Sequence, residues 1–129
     1  MIDKDEIATL YLDLESDRVE RKRSPAEQEK ICQAICAFAN DLPNHRKCGV
    51  LFIGQRDDGS CAHIEIADKT LREIAGWRSD GRFHPFPVMH VQRMTICGCS
   101  VAVVIVEPSD NPAIRYDGRV WVRVGPRRA

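Results

Sequence analysis

The chain has 129 residues, enough for one compact domain that buries its apolar side chains without help from disulfides or metal. Its 19 basic and 19 acidic residues balance, so any affinity for nucleic acid has to come from a local patch and not from a global field. No apolar run is long enough to span a bilayer and the opening Met-Ile-Asp-Lys-Asp-Glu is too acidic for a signal peptide, so a cytoplasmic protein without a membrane partner is expected.

In chain order, Ile7, Leu10, Tyr11 and Leu14 recur at helical spacing behind Asp3, Asp5 and Glu6, which predicts a short amphipathic helix over 3–14. The charged stretch Glu15 to Lys22 follows. Val19 is its only apolar residue between Asp17 and Arg23, and the pattern predicts an edge strand with Arg18, Glu20 and Lys22 on one polar, open face. A second helix is signalled by Ser24 as N-cap, Pro25 at the first position and Glu27 completing a capping box, with Ile31, Ile35, Phe38 and Leu42 as its apolar stripe. Cys32 and Cys36 widen that stripe. Together with Cys48, Cys61, Cys97 and Cys99 they lack a regular framework of spacings, so all six are expected to be reduced, unbridged thiols.

Val50 to Gly54 is a continuous apolar run and predicts a buried strand, which Asp57-Asp58-Gly59 turns into a hairpin with the alternating segment 62–66. A shorter helix is expected over 68–77. Residues 86–96 and 101–106 predict a second hairpin through Cys97-Gly98-Cys99, with 101–106 as a central strand, and 120–125 alternates as a final arm. Two or three helices against about six strands argue for a single α/β (α+β) domain of two layers with a mixed sheet. No histidine or cysteine pair shows a repeated zinc spacing, and no glycine cluster resembles a phosphate-cradling loop.

Five pieces occur in register: Glu15 with Glu20-Arg21-Lys22, Ile35 to Asn40, Leu51 to Gly59, Val103-Val104-Ile105-Val106 with Glu107-Pro108-Ser109, and Val122-Arg123-Val124-Gly125. On these the chain, from Glu15 onward, resembles the Schlafen-type AlbA-like domain family. Where members usually carry an aromatic anchor this chain has Arg21, a change expected to remove an inward contact from the edge strand. The resemblance implies DNA or RNA as partner and a module of a bacterial transcriptional regulator. It also implies that residues 1–129 are the N-terminal part of a larger protein.

In members that cleave RNA, two glutamates and an aspartate hold a divalent metal, and the matching positions here are Glu15, Glu20 and Asp57 or Asp58. A magnesium- or manganese-dependent ribonuclease is therefore the alternative reading, with hard carboxylate oxygens suited to such ions. A protein-interaction domain is the third, and homodimerisation is left open. For backbone contacts the candidates are Arg18, Arg21, Lys22, Arg115, Arg119 and Arg123. Arg127 and Arg128 would extend one positive surface if the final arm lies beside the opening edge.

Overall fold

The computed structural model describes residues 2–110, 113–124 and 127–128. Among them the first helix forms as α1 (Lys4–Leu12), started by Asp3, whose carboxylate accepts the Glu6 amide at 2.8 Å. The chain enters β1 (Val19–Lys22), crosses through α2 (Gln28–Asn40) and returns as β2 (Gly49–Ile53), parallel to β1 with Val19 opposite Val50 and Lys22 opposite Ile53. Parallel neighbours require such a crossover. Helix α3 (Asp68–Gly76) and a 3-10 turn over Trp77–Ser79 lead to β3 (Phe83–His84). Next come the β4 (Met89–Ile96) and β5 (Cys99–Val106) hairpin, then β6 (Arg115–Tyr116), β7 (Arg123–Val124) and β8 (Arg127–Arg128). The main sheet runs β1-β2-β5-β4, mixed in direction, while β3–β6 and β7–β8 are separate two-stranded ribbons. The fold is α+β, as expected.

Strand alternation divides the core between two faces. Leu51, Ile53, Ala102, Val104 and Val106 pack on Ile31, Ile35 and Phe38 of α2 and Ile74 of α3. Val50, Phe52, Val101, Val103 and Ile105 face Ile7, Leu10 and Tyr11 of α1, with Tyr11 edge-on to Phe52 at 5.2 Å. Helices on both faces explain why β2 and β5 read as unbroken apolar runs, because neither strand has a side open to water.

Five details depart from expectation. Ser24 does not cap α2: its hydroxyl accepts the Ala26 amide at 3.1 Å, Glu27 donates its amide to the Ser24 carbonyl, and the helix ladder begins only with Ile31 N–H to Glu27. Residues 24–27 are thus a turn before the helix. Leu42 is 57% exposed, since α2 ends at Asn40 and the chain reverses at Asp41 in the left-handed region (φ 45°). Segment 62–66 is not a strand, because β5 already occupies the edge of β2 that it would have used, leaving only a Gln55–Cys61 bridge. Among the described residues of the final arm, 120–124, only Arg123–Val124 is strand. Finally, Cys61 and Cys99 form a disulfide, with Cα atoms 5.7 Å apart, so the expectation of six free thiols is wrong. Cys32 and Cys36 are buried and free, and burial pushes the Cys32 thiol up to about 12.

Gly49 allows a close approach between α2 and the sheet: a Cβ there would lie 2.1 Å from Phe38 Cγ. The ring is held from behind by Arg123, whose guanidinium carbon lies 4.9 Å from its centroid. Gly49→Ala is expected to cost about 2–3 kcal/mol through overpacking, read as a lower urea midpoint with an unchanged slope.

Candidate nucleic-acid interface

Strand β1 carries the expected site residues Glu20, Arg21 and Lys22, and its polar sequence at a sheet edge suggests an open strip. It is closed instead: Arg21 is 8% and Lys22 9% exposed. An edge strand presents unpaired carbonyls, and here a side chain takes the place of a further strand. Arg123 donates from Nε to the Asp17 carbonyl at 3.0 Å and from Nη2 to the Val19 carbonyl at 3.2 Å. Its Nη1 pairs with Glu20 Oε1, while Glu20 Oε2 accepts Lys22 Nζ at 2.8 Å. Burial works to raise Glu20, but the bonds from Lys22 and Arg123 outweigh it and hold the carboxyl below its ordinary range.

On the opposite face of β1, Arg21 points under the end of α1. It donates from Nη2 to the carbonyls of Leu10, Tyr11 and Asp13 at 3.0–3.2 Å and from Nε to Gln55 Oε1 at 2.8 Å. Gln55, fully buried, donates in turn to the carbonyls of Tyr11 and Gly59, both at 3.0 Å. The last carbonyls of a helix have no partners within it, and Arg21 supplies them. Burial lowers its pKa, opposed by Asp13 nearby. The aromatic-to-Arg change therefore adds an inward anchor, contrary to expectation.

At the C-terminal end of β1 these two arrangements border an open cleft of about 450 Å³ lined by Arg21, Lys22, Arg23, Glu27, Lys30, Arg56, Asp57 and Asp58. Three segments meet there: the end of β1, the first turns of α2 and the loop after β2. Arg23, Lys30 and Arg56 are exposed. Asp58 accepts both the hydroxyl (2.6 Å) and the amide (2.9 Å) of Ser60, and these bonds hold its carboxyl below the ordinary range. The expected meeting of the opening stretch with the Asp57-Asp58 turn is thus present for Arg21 and Lys22.

Other candidates lie elsewhere. Arg18 binds the Cys48 carbonyl at 3.0 Å and Glu6 at 3.1 Å. Exposed Arg115 is in β6, and Arg119 lies with Glu29, Asp117 and Trp121 beside the β3–β6 ribbon. The side chains of Arg127 and Arg128 lie outside the described residues. Among the described side chains no single positive surface runs from the C-terminal arginines to β1, because Arg115 and Arg119 lie away from it and Arg123, which reaches it, is spent on strand edge and carboxylate. The acids do not fit a shared metal site either. Both Glu20 oxygens face cations, Glu15 sits exposed in the turn before β1, and no three His, Cys, Asp or Glu side chains among the described residues could hold an ion together.

The model of the family described as Schlafen, AlbA_2 matches residues 15–128. The chain belongs to the Schlafen AlbA_2 family. Among solved structures it is similar to the N-terminal domain, determined by NMR in solution, of a RecG-related protein from Nitrosomonas europaea. The TM-score is 0.58 and the identity 23%, over 82% of this chain and 72% of that one, a likeness of fold. No curated protein matches the chain.

In this AlbA_2 domain the charged opening stretch divides by strand alternation into a salt-bridged face (Glu20, Lys22) and a helix-capping face (Arg21). Arg23, Lys30 and Arg56 escaped the sequence reading. Arg56, next to the Asp57-Asp58 turn, carried a signal in its position; Lys30 looked like one more solvated helix residue.

Removing Glu20 leaves Arg123 and Lys22 without their shared acid. Glu20→Gln is expected to cost about 3 kcal/mol at neutral pH in urea denaturation. A lowered folded pKa means the wild-type contribution is complete above the ordinary carboxylate range and is lost as pH falls through the depressed value. The gap between variant and wild type should therefore close on the acid side.

Proposed function

We propose that this domain binds the phosphate backbone of DNA or RNA in the cleft at the end of β1, as the nucleic-acid-binding module of a larger regulatory protein. One observation carries the reading: five basic side chains from three separate segments border one open cleft, with Arg23, Lys30 and Arg56 exposed at its rim. Phosphate contacts of this kind supply affinity that falls with salt and carry no sequence information. No aromatic side chain lines the cleft, which favours grip on the backbone over stacking of bases. Membership of the AlbA_2 family supports the reading, as does the DNA helicase in the name of the similar Nitrosomonas protein. No helix among the described residues is long and apolar enough to cross a membrane.

The acids have a place in the same scheme. Asp57 and Asp58 lie beside the basic rim, so they weaken phosphate binding by repulsion. Lys22, already paired with Glu20, adds positive potential to the cleft.

Fluorescence anisotropy on a labelled duplex and a labelled single strand, across a salt series, tests the proposal. Lys30→Ala and Arg56→Ala should each weaken binding several-fold on every sequence and reduce the salt slope by about one. Asp57→Asn should tighten it, and Arg119→Ala should change nothing. Unchanged affinity and slope in both cleft variants would sink the reading.

A further inference from the structure

The Cys61–Cys99 disulfide stands at the far end of the loop that forms one wall of this cleft. The near end is fixed by the Gln55 side chain in the Arg21 hub. Between them the loop turns on itself, through Arg56 N–H to Ser60 (2.8 Å) and Gly59 N–H to Arg56 (2.9 Å). At the far end, Cys61 is bonded covalently to Cys99, which is 2% exposed at the start of β5. That end is otherwise held by the Gln55–Cys61 bridge and by Ala62 N–H to the Gly54 carbonyl at 2.8 Å, before an irregular segment through Ala67 that docks on the core by its buried Ile66. Arg56 itself leans on this end, donating from Nη1 to the Cys61 carbonyl at 2.8 Å.

We infer that the Cys61–Cys99 disulfide is a redox clasp on the cleft: closed, it holds Arg56 ready for phosphate, and opened by a dithiol reductant it releases the loop and weakens binding. The inference rests on the backbone-binding reading of the cleft. Cys61 is the half-buried partner and hence the sulfur a reductant reaches. A thiolate of the external dithiol attacks Cys61 Sγ, forms a mixed disulfide and expels Cys99 as thiolate. The second thiol of the reductant then displaces Cys61, so the reductant leaves as a disulfide, two electrons pass to the chain, and both cysteine sulfurs take up protons. Ordering a mobile arginine on binding costs affinity, so the open form binds more weakly.

The test uses the 129-residue chain in a Cys97→Ser background, so that the exposed thiol two residues from Cys99 cannot exchange partners. Intact mass, amide hydrogen exchange and duplex affinity are measured before and after reduction by dithiothreitol, with Cys61→Ser as a permanently open form. The oxidised chain should be lighter by two hydrogens. Reduction should speed exchange of the 56–62 amides by about tenfold or more with β5 unchanged, and weaken duplex binding about three- to tenfold. If Cys61→Ser does not fold, reduction of the folded protein decides alone. A full complement of free thiols in the unreduced protein, or equal loop exchange or equal affinity in the two forms, overturns the clasp. Failure of both forms to bind any duplex instead brings down the cleft reading, and the inference with it.

Discussion

A strand at the edge of a sheet has to satisfy one row of backbone groups without a neighbour, and in this domain one guanidinium takes up two carbonyls of that row at β1. Arg123 reaches across more than a hundred residues of sequence to the carbonyls of Asp17 and Val19, lies over Phe38 and pairs with Glu20. Everything beside it follows from that placement. A cation 3% exposed needs a counter-charge, Glu20 supplies it, and Lys22 completes the neutralisation of an acid that would be costly to bury alone. The β1 terminus is held in place by this arrangement, and the cleft opens just beyond it.

Arg21 performs the complementary task on the other face. By capping the carbonyls at the end of α1 and holding Gln55, it ties the first helix, the edge strand and the loop after β2 into one buried knot. The result is a division of labour among adjacent charges. The charges of residues 20–22 are paired or hydrogen-bonded within the fold, and their neighbours Arg23, Lys30 and Arg56 are exposed. A disulfide and a buried amide then bracket the short loop that brings Arg56 to the cleft, a pairing of rigid and releasable anchors within a few residues.

The C-terminal part is fixed by similar means. Asn40 bonds the Ile114 amide at 2.7 Å and the carbonyls of Ile114 and Trp121 at 3.0 and 2.8 Å, so the end of α2 holds two irregular segments of chain. Arg82 joins Glu29 of α2 to Asp117, with its guanidinium 4.7 Å over the Tyr116 ring, and pins the β3–β6 ribbon to the same helix. Asp117 is accordingly held below its ordinary range by Arg82. Helix α2 is the post to which the late segments are tied.

The elements with strong periodicity were legible from residues alone: α1, the body of α2, α3, and the apolar strands β2 and β5 with β4 as hairpin partner, because hydrophobic spacing is a local property that burial then rewards. So were the core positions Ile31, Ile35, Phe38, Leu51, Ile53, Val103 and Ile105, all buried, and the family, through five short pieces in register. What needed the tertiary structure was every question of partnership. Which strand borders β2 depended on β5 competing with 62–66; whether Ser24 capped α2 depended on where its hydroxyl turned. Whether Cys61 met Cys99 depended on a loop and the start of β5, 38 residues apart, arriving at one place. The same limit governs the site. A charged octapeptide announces charges, but alternation along β1 and the distant Arg123 decide which are neutralised in the interior and which remain to face a ligand, and no local pattern carries that long-range information.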